Sequence, residues 1–299
     1  MQIGYLGRGA MGGALARRLQ LSRKLVVFDL NPAAVADLTT RGAEAAASPA
    51  DLARRCDVVF LCLPKSEHVR SAIFDADGLI EGVRPGAILV DQTTGDPNAT
   101  RAMAERLLAR GVELVDAPVS GGAMGAEAGT IAIMLGATDA QRARLAPILA
   151  DISPNLFHAG AVGNGQVIKL VNNLISHSQR LLTQEGMALA VKNGVAPERA
   201  AEILLAGGAR NAYMERILEP RVLKGRLKVG FTLGLAEKDV KLACELGQAS
   251  GVPMPFGALA SGLYHEMVAE NGYGAEVETS GLITQARAET RYIPDDAPA

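Results

Sequence analysis

A glycine-rich turn between a short apolar strand and a helix constrains the fold of this chain more than any other feature. Residues 2–6 form a predicted strand, and a helical pattern covers residues 11–20. In a GxGxxG turn the first glycine permits the tight bend, the second lets the backbone approach a pyrophosphate, and the third lets helix and strand pack closely. This context favours a dinucleotide site over a merely structural turn. The residues of the predicted site are Gly7, Arg8, Gly9, Ala10, Met11 and Gly12.

Short apolar runs alternate with helical patterns through the first half of the chain. Asn31-Pro32 and Ser48-Pro49 each combine an N-cap residue with proline at the first helical position, which marks two helix starts. Such alternation predicts a mostly parallel sheet covered on both faces, that is, a doubly wound (Rossmann) α/β domain. Further strands are predicted at residues 25–29, 57–63, 87–90, 112–116 and 131–135.

The alternation stops near Gly160, and only helical patterns follow. Residues 166–193 contain no proline, and their pattern predicts a helix ~40 Å long at 1.5 Å per residue. The later helices are predicted at residues 197–205, 212–223, 232–250, 256–270 and 276–289. The predicted domains are a dinucleotide-binding Rossmann domain at 1–161, a long interdomain helix at 162–192, and an all-α substrate and oligomerisation domain at 193–299.

Composition excludes several classes of function. A net charge of −2 and an aromatic content of 4% argue against a nucleic-acid partner and an anionic membrane surface. No run approaches ~18 apolar residues, and the N-terminus lacks the basic stretch of a secretory signal. Three cysteines without CxxC spacing indicate a reduced, cytoplasmic chain with no disulfide framework and no metal site. The polar tail at 291–299 is expected to fray.

The choice of dinucleotide depends on the residue that ends the second predicted strand. Asp29 stands there, where a carboxylate accepts hydrogen bonds from the ribose hydroxyls and repels a 2′-phosphate. The alternative role for Asp29 is to cap the next helix, although Asn31 already serves that purpose. NAD is therefore predicted, with NADP less favoured. Arg8 is expected either to contact the pyrophosphate or to face solvent.

A lysine within the long helix is the candidate catalytic residue. Lys169, Asn173 and His177 are spaced four residues apart, so they share one helical face. That face is either solvated or part of a cleft at the domain junction. A desolvated lysine has a lowered pKa and exchanges protons near neutral pH, whereas Asn173 is suited to orient a hydroxyl group. His177 lies two turns away and is expected to be structural.

A second glycine-rich loop follows a predicted strand. The Ser120 hydroxyl and the N–H groups of Gly121 and Gly122 are suited to hold a carboxylate, although an ordinary flexible turn is the alternative.

Four motifs in order make the chain resemble the β-hydroxyacid dehydrogenase family, which includes 3-hydroxyisobutyrate dehydrogenases and tartronate semialdehyde reductases. They are Gly7–Gly12, Asp116–Gly122, Gly163–Asn173, and Phe231–Ala243 with Lys238-Asp239 inside. The resemblance covers nearly the whole chain. It departs from the family at Arg8, where a small or aliphatic residue is usual, and at Gln92-Thr93-Thr94, where a serine-rich triplet is usual.

The resemblance implies a role for each matching residue. Lys169 matches the catalytic lysine, Asn173 its substrate-binding neighbour, and Lys238 a lysine that reaches the nicotinamide end of the cofactor. The carboxylate loop is matched by Ser120, Gly121 and Gly122. The remaining cofactor contacts are matched by Leu63, Pro64, His68 and Thr94. Imine reductases share the fold but lack the lysine, so Lys169 favours the dehydrogenase branch.

The predicted activity is reversible hydride transfer between NAD and a small 3-hydroxy acid, of the 3-hydroxyisobutyrate dehydrogenase type. Tartronate semialdehyde reductase and a threonate- or serine-type dehydrogenase are alternatives, which differ at the far end of the substrate. Candidates for that end are Arg210, Asn211 and Tyr213. A non-catalytic dinucleotide sensor is a more remote alternative. A homodimer or homotetramer is expected because family members commonly associate.

Overall fold

The computed structural model describes residues 1–294 and divides the chain into two compact units. The first unit is Met1–Lys169, and the second begins at Leu170.

A mostly parallel sheet forms the centre of the first unit. Its strands run in the order β3-β2-β1-β4-β5-β6-β8-β7, and β9 pairs with β8. All neighbouring strands are parallel except that β8 runs antiparallel to β6 and β7. Within residues 1–294 the strands are β1 (Ile3–Leu6), β2 (Leu25–Phe28), β3 (Glu44–Ala45), β4 (Val58–Leu61), β5 (Ile88–Asp91), β6 (Glu113–Asp116), β7 (Val119–Ser120), β8 (Ala132–Gly136) and β9 (Leu156–Gly160).

Helices connect these strands, and several begin at the caps that the sequence predicts. The side chain of Asn31 accepts a hydrogen bond from the N–H of Ala33, and that of Ser48 accepts one from Asp51. The helices are α1 (Ala10–Gln20), α2 (Pro32–Thr39), α3 (Pro49–Arg55), α4 (Ser66–Phe74), α5 (Pro97–Leu108), α6 (Gly122–Ala128) and α7 (Asp139–Ile152).

The sheet is buried on both faces, as its apolar strands require. Along β4, Val58 and Phe60 belong to one apolar cluster, whereas Val59 and Leu61 belong to another. Successive side chains of a strand point to opposite faces, so the two clusters lie on opposite sides of the sheet. The doubly wound α/β fold predicted from the sequence is thereby confirmed.

The second unit is built of helices. Helix α8 (Asn164–Lys192) begins in the first unit and continues into the second, and its 29 residues confirm the long helix predicted from the sequence. Thr232 and Glu276 also form an isolated β-bridge. The other helices are α9 (Pro197–Ala206), α10 (Leu233–Ala249), α11 (Pro255–Asn271) and α12 (Thr279–Arg287).

Two predictions about the second unit are wrong. The regular helix predicted at 212–223 is instead a π-helical turn, Met214–Leu218, followed by a 3₁₀ turn, Val222–Lys224. Pro220 lies between them, and proline removes a helical hydrogen bond and clashes with the preceding turn.

The second wrong prediction concerns the tail, which does not fray where the structure describes it. Tyr292 and Ile293 are buried, the Tyr292 hydroxyl donates to the carbonyl of Gly281, and both N–H groups donate to Gln285 Oε1. Two adjacent apolar side chains therefore anchor the segment. The rest of the predicted tail, residues 295–299, lies outside the described residues.

Candidate active site

The GxGxxG turn joins β1 to α1 and packs as the motif requires. Gly7 has a φ of +87°, and a Cβ there would collide with the carbonyl of Cys62. A Cβ at Gly12 would collide with the carbonyl of Gly7. In contrast, a Cβ at Gly9 meets no atom within 4 Å, and no side chain caps α1 at this position. The turn therefore offers an open backbone and a helix N-terminus, which fit the pyrophosphate of a dinucleotide.

The turn lies where the strand order of the sheet reverses. From β1 the chain proceeds outwards to β2 and β3, and it then returns to β4 on the other side of β1. Ligands of doubly wound folds bind at the carboxyl ends of strands at such a switch point. Leu63 and Pro64 follow β4 at this end, and His68 is exposed on α4.

Asp29 follows β2, and two backbone groups hold its carboxylate. The N–H of Arg8 donates to Oδ2 at 2.5 Å, and the N–H of Asn31 donates to Oδ1 at 2.8 Å. Asn31 provides the side-chain cap of α2. The half-buried carboxylate of Asp29 is thus fixed beside the glycine turn, and its predicted contact with a ribose stays a prediction.

Arg8 does not face solvent, so that alternative is wrong. Its side chain is 1% exposed, and Nη2 lies 3.5 Å from Asp37 Oδ2. Asp37 also binds Arg17 Nη1 at 3.1 Å. Burial lowers the pKa of Arg8, and the nearby carboxylates of Asp37 and Asp29 oppose that effect. The predicted contact with the cofactor stays a prediction.

The loop after β5 is tied to the neighbouring loop and to α8. Thr93 Oγ1 accepts a hydrogen bond from the N–H of Leu63 at 3.0 Å. The buried Gln166 accepts from the N–H of Gly95 at 3.0 Å and donates to the carbonyl of Thr93 at 2.7 Å. Thr94, half-buried, lies between these anchored residues.

Asp116 holds the N-terminus of α8 from the end of β6. Oδ1 accepts from the N–H of Gly163 at 2.6 Å, and Oδ2 accepts from the N–H of Gln166 at 2.7 Å. Helix N-termini have unsatisfied N–H groups and favour negative charge. Burial raises the pKa of Asp116 from 3.8 to about 6, although these two backbone hydrogen bonds lower it.

The second glycine loop follows β7 and has a backbone that favours glycine. Gly121 has a φ of +139° and Gly122 a φ of +71°, which side chains with a Cβ rarely adopt. Both glycines are exposed, and Ser120 before them is half-buried. A residue with a Cβ would be strained at these two positions, and the role of the loop towards a carboxylate stays a prediction.

The polar face of α8 is buried rather than solvated. Lys169 is 8% exposed, Asn173 5% and His177 6%. Lys169 is the last residue of the first unit, and Asn173 lies one helical turn further along the same helix. Three apolar residues of the same stretch are exposed, namely Ile168, Val171 and Ile175, whereas Leu170 is buried. Burying polar groups is costly unless they are paired, so these three polar side chains need partners inside the protein.

Within the second unit, one carboxylate gathers the polar groups of α8 and α10. Asp239 Oδ2 accepts a hydrogen bond from Asn173 Nδ2 at 2.6 Å, and Oδ1 lies 3.0 Å from Lys238 Nζ. His177 Nε2 lies 3.9 Å from Oδ2. The other end of the Asn173 amide accepts from Asn172 Nδ2 at 2.9 Å. The orientation of the Asn173 amide is thereby determined.

The candidates for the far end of the substrate have partners inside the second unit. Arg210 is ion-paired with Glu215, and Asn211 donates to Thr183 Oγ1. The Tyr213 side chain is buried, and its hydroxyl donates to Glu278 Oε2 at 2.8 Å. A substrate-binding role for these three residues stays a prediction.

Residues 1–294 contain neither a membrane span nor a cluster of metal ligands. No helix in this part of the chain is long and apolar enough to cross a membrane, and no group of three or more His, Cys, Asp or Glu residues there is placed to hold a metal ion.

Two family models match the chain. Residues 2–160 match the NAD binding domain of 6-phosphogluconate dehydrogenase, and residues 163–284 match the NAD-binding domain of NADP-dependent 3-hydroxyisobutyrate dehydrogenase. The 3-hydroxyisobutyrate dehydrogenase of Pseudomonas aeruginosa is 38% identical over 269 residues, which are 88% of this chain and 90% of that protein. The chain belongs to the β-hydroxyacid dehydrogenase family.

Other members of the family are similarly close. The NAD-dependent L-serine dehydrogenase of Pseudomonas aeruginosa is 36% identical over 279 residues, covering 91% of this chain and 93% of that one. The structure of Mycobacterium tuberculosis 3-hydroxyisobutyrate dehydrogenase with L-serine has a TM-score of 0.84 and 27% identity, and the match covers 95% and 99% of the two chains. This confirms the predicted NAD(P)-binding domain and the predicted class of enzyme, a hydroxyacid dehydrogenase.

Sequence reasoning missed several residues that organise this β-hydroxyacid dehydrogenase. Asp116 and Gln166 lie inside recognised motifs but had no assigned role, and Asp239 had none either. Two signals were available in the sequence. Asp116 is a charged residue at the end of an apolar strand, and Gln166 is a polar residue in the first turn of an apolar helix.

The raised pKa of Asp116 predicts a pH-dependent contribution to stability. Because the folded pKa of about 6 exceeds the ordinary 3.8, the native state binds this proton more tightly. The contribution is fully present below pH ~4 and is lost as the pH rises to ~6, by up to ~3 kcal/mol. The Asp116→Asn variant lacks this titration. The stability of the wild type relative to the variant should therefore fall over that range.

Chemical denaturation at several pH values measures this difference. The surface variant Asp139→Asn corrects for the general effect of pH on the fold. A difference between wild type and Asp116→Asn that stays constant from pH 4 to pH 7 would contradict the assignment.

Proposed function

We propose that this enzyme catalyses reversible hydride transfer between NAD and the hydroxyl-bearing carbon of a small 3-hydroxy acid, of the 3-hydroxyisobutyrate dehydrogenase type. The observation that carries the proposal is the burial of Lys169 on α8, one helical turn before an Asn173 of fixed orientation. A buried lysine at such a position is suited to general acid–base catalysis.

Each residue has a defined task in this proposal. In the oxidative direction Lys169 takes the proton of the substrate hydroxyl, and in the reductive direction it returns that proton. Asn173 fixes the hydroxyl oxygen, while Ser120, Gly121 and Gly122 hold the carboxylate. When bound, NAD accepts or supplies the hydride. The residues proposed to bind it are Gly7, Arg8, Gly9, Ala10, Met11, Gly12, Asp29, Leu63, Pro64, His68, Thr94 and Lys238.

The proposed division of the chain follows these tasks. We assign dinucleotide binding to residues 1–161, the long helix to 162–192, and substrate binding and oligomerisation to 193–299. An odd number of cysteines without CxxC spacing supports a cytoplasmic location.

A serine-type dehydrogenase is the second candidate. It is supported by the similarity to the L-serine dehydrogenase of Pseudomonas aeruginosa and to the mycobacterial enzyme whose structure is with L-serine. Serine is also a 3-hydroxy acid with a carboxylate, so the same catalytic residues would serve. A spectrophotometric assay of NADH production with a panel of 3-hydroxy acids distinguishes the two.

Substitution of Lys169 tests the mechanism. Lys169→Ala should lower kcat by ~10²–10⁴, because the proton acceptor is removed, while NADH still binds. Lys169→Arg should fail nearly as badly, since a guanidinium does not give up its proton. Lys192→Ala, near the end of the same helix and exposed, is the matched control. Wild-type turnover in the arginine variant would remove Lys169 from the mechanism.

Asp29 predicts a preference for NAD. One matching family model is named for an NADP-dependent enzyme, so membership of the family does not decide between NAD and NADP. The choice between the two cofactors therefore depends on this chain's own residues. A carboxylate beside a 2′-phosphate costs Coulomb energy and loses the ribose hydrogen bond. Steady-state kinetics should give a higher kcat/KM with NAD than with NADP. In the Asp29→Ser variant the two kcat/KM values should be closer to each other. A higher kcat/KM with NADP in the wild type would overturn the prediction.

A homodimer or homotetramer is proposed because α8 exposes an apolar stripe. Val171, Ile175, Leu182 and Leu189 recur at intervals of four and seven residues on this helix and are all exposed. Light scattering should return two or four times 31.1 kDa. Leu182→Glu, at the centre of the stripe, should shift the enzyme towards the monomer. A mass of about one chain across micromolar concentrations would contradict the proposal.

A further inference from the structure

A chain of buried polar side chains leads away from Asn173 within the second unit. Asp239 is followed by His177, Arg180, Glu278 and Tyr213, and all five are at most 8% exposed. Arg180 Nη1 lies 3.0 Å from His177 Nδ1, and Arg180 Nε lies 3.1 Å from Glu278 Oε1. Buried polar networks of this kind fix a unique arrangement of side chains when they are satisfied.

The contact with Arg180 determines the tautomer of His177. A guanidinium has only donors and keeps its charge, so Nδ1 of His177 must accept the hydrogen bond. The proton of the neutral imidazole is then on Nε2. This Nε2–H is on the side of the ring that faces Asp239 Oδ2, at a distance of 3.9 Å.

Arg180 is itself held in place. Glu278 forms an ion pair with the guanidinium, with Oε1 3.1 Å from Nε, and the Tyr213 hydroxyl donates to the other oxygen of Glu278 at 2.8 Å. Gln184 Nε2 donates to the Tyr213 hydroxyl at 3.0 Å, and the guanidinium lies 5.1 Å from the centre of the Tyr213 ring. The donor that sets the tautomer therefore has little freedom to move.

The ring of His177 is clamped as well. Phe231 stacks on it with a centroid distance of 5.3 Å and an interplanar angle of 14°. Tyr264 meets its edge at 6.0 Å and 80°, and the Tyr264 hydroxyl donates to the carbonyl of His177 at 3.1 Å. Both the plane of the imidazole and the position of its proton are thus fixed.

We propose that His177 is a positioning residue, which holds through its Nε2–H the Asp239 carboxylate that orients the amide of Asn173. At 3.9 Å the contact is electrostatic rather than a hydrogen bond, and contacts of this kind often tighten when substrate binds. The inference rests on the proposed role of Asn173 towards the substrate hydroxyl.

The two oxygens of Asp239 have different neighbours, so losing the His177 donor should affect the substrate and the cofactor differently. His177 is directed at Oδ2, the oxygen that accepts from Asn173, whereas Lys238 contacts Oδ1. Loss of the Nε2–H should therefore disturb the substrate more than the cofactor. Misplacing a positioning group lowers the rate without removing the chemistry.

Two substitutions of His177 test the proposal. His177→Phe keeps the stacking on Phe231 but removes the donor, and it should lower kcat/KM for the hydroxy acid by ~10- to 100-fold. His177→Gln keeps one donor and one acceptor and should stay within ~3-fold of the wild type. The Kd of NADH should be unchanged in both variants. His265→Phe, an exposed histidine of the same unit, is the control.

The melting temperature separates positioning from a structural role. If His177→Phe only lowers the melting temperature and the folded enzyme keeps its kcat/KM, the proposal is overturned. Equal losses of kcat/KM in the phenylalanine and glutamine variants also overturn it, because the donor would then be irrelevant.

Nitrogen-15 NMR of the wild-type histidines gives a readout that does not depend on folding of a variant or on activity. His177 should be protonated at Nε2 and not at Nδ1, and protonation at Nδ1 overturns the proposal. If the wild type oxidises no hydroxy acid, the proposed function is wrong. The NMR spectrum still decides the tautomer of His177, so the two failures are distinguishable.

Discussion

The rest of the site depends on the two hydrogen bonds by which Asp116 holds the start of α8. A charged acceptor at a helix N-terminus satisfies N–H groups that have no partner inside the helix, and it does so with strong, short bonds. The carboxylate lies directly against Gly136, where a Cβ would collide with it. Gln166 then links the loop after β5 to the same helical turn. Lys169 follows one helical turn after Gln166, so its position is set by Asp116 at the end of β6.

Helix α8 buries three polar side chains, those of Lys169, Asn173 and His177. A polar side chain that is buried where an apolar one could pack lowers what the helix gains from the hydrophobic effect. The polar groups of the second unit are retained at that cost by a continuous set of contacts from Asn173 to Tyr213. Such networks fix the positions of their side chains more than they stabilise the fold. A buried polar or charged group that loses its partner destabilises the protein, so the side chains keep one arrangement.

The sequence predicted those features that are local in the chain. Long apolar runs and capped helix starts gave the central strands and α8, whereas β3 and β7 have two residues each and carry no periodic signal. The regular helix predicted at 212–223 was wrong because Pro220 removes a helical hydrogen bond and clashes with the preceding turn. The motifs singled out Lys169 and the two glycine loops as candidates. They gave no role to Asp116, Gln166 or Asp239, because the partners of these residues are distant in the chain: Asp116 and Gln166 are 50 residues apart, and Asn173 and Asp239 are 66.

The central claim is that hydride moves directly between the hydroxyl-bearing carbon of a 3-hydroxy acid and the nicotinamide. The most direct measurement uses a 3-hydroxy acid with deuterium on that carbon and follows the label by mass spectrometry. The account predicts that the NADH formed carries the deuterium and that the rate is equal to or lower than with the unlabelled acid. Oxidation that leaves the NADH without the label, or no NADH from any 3-hydroxy acid tested, would contradict the account.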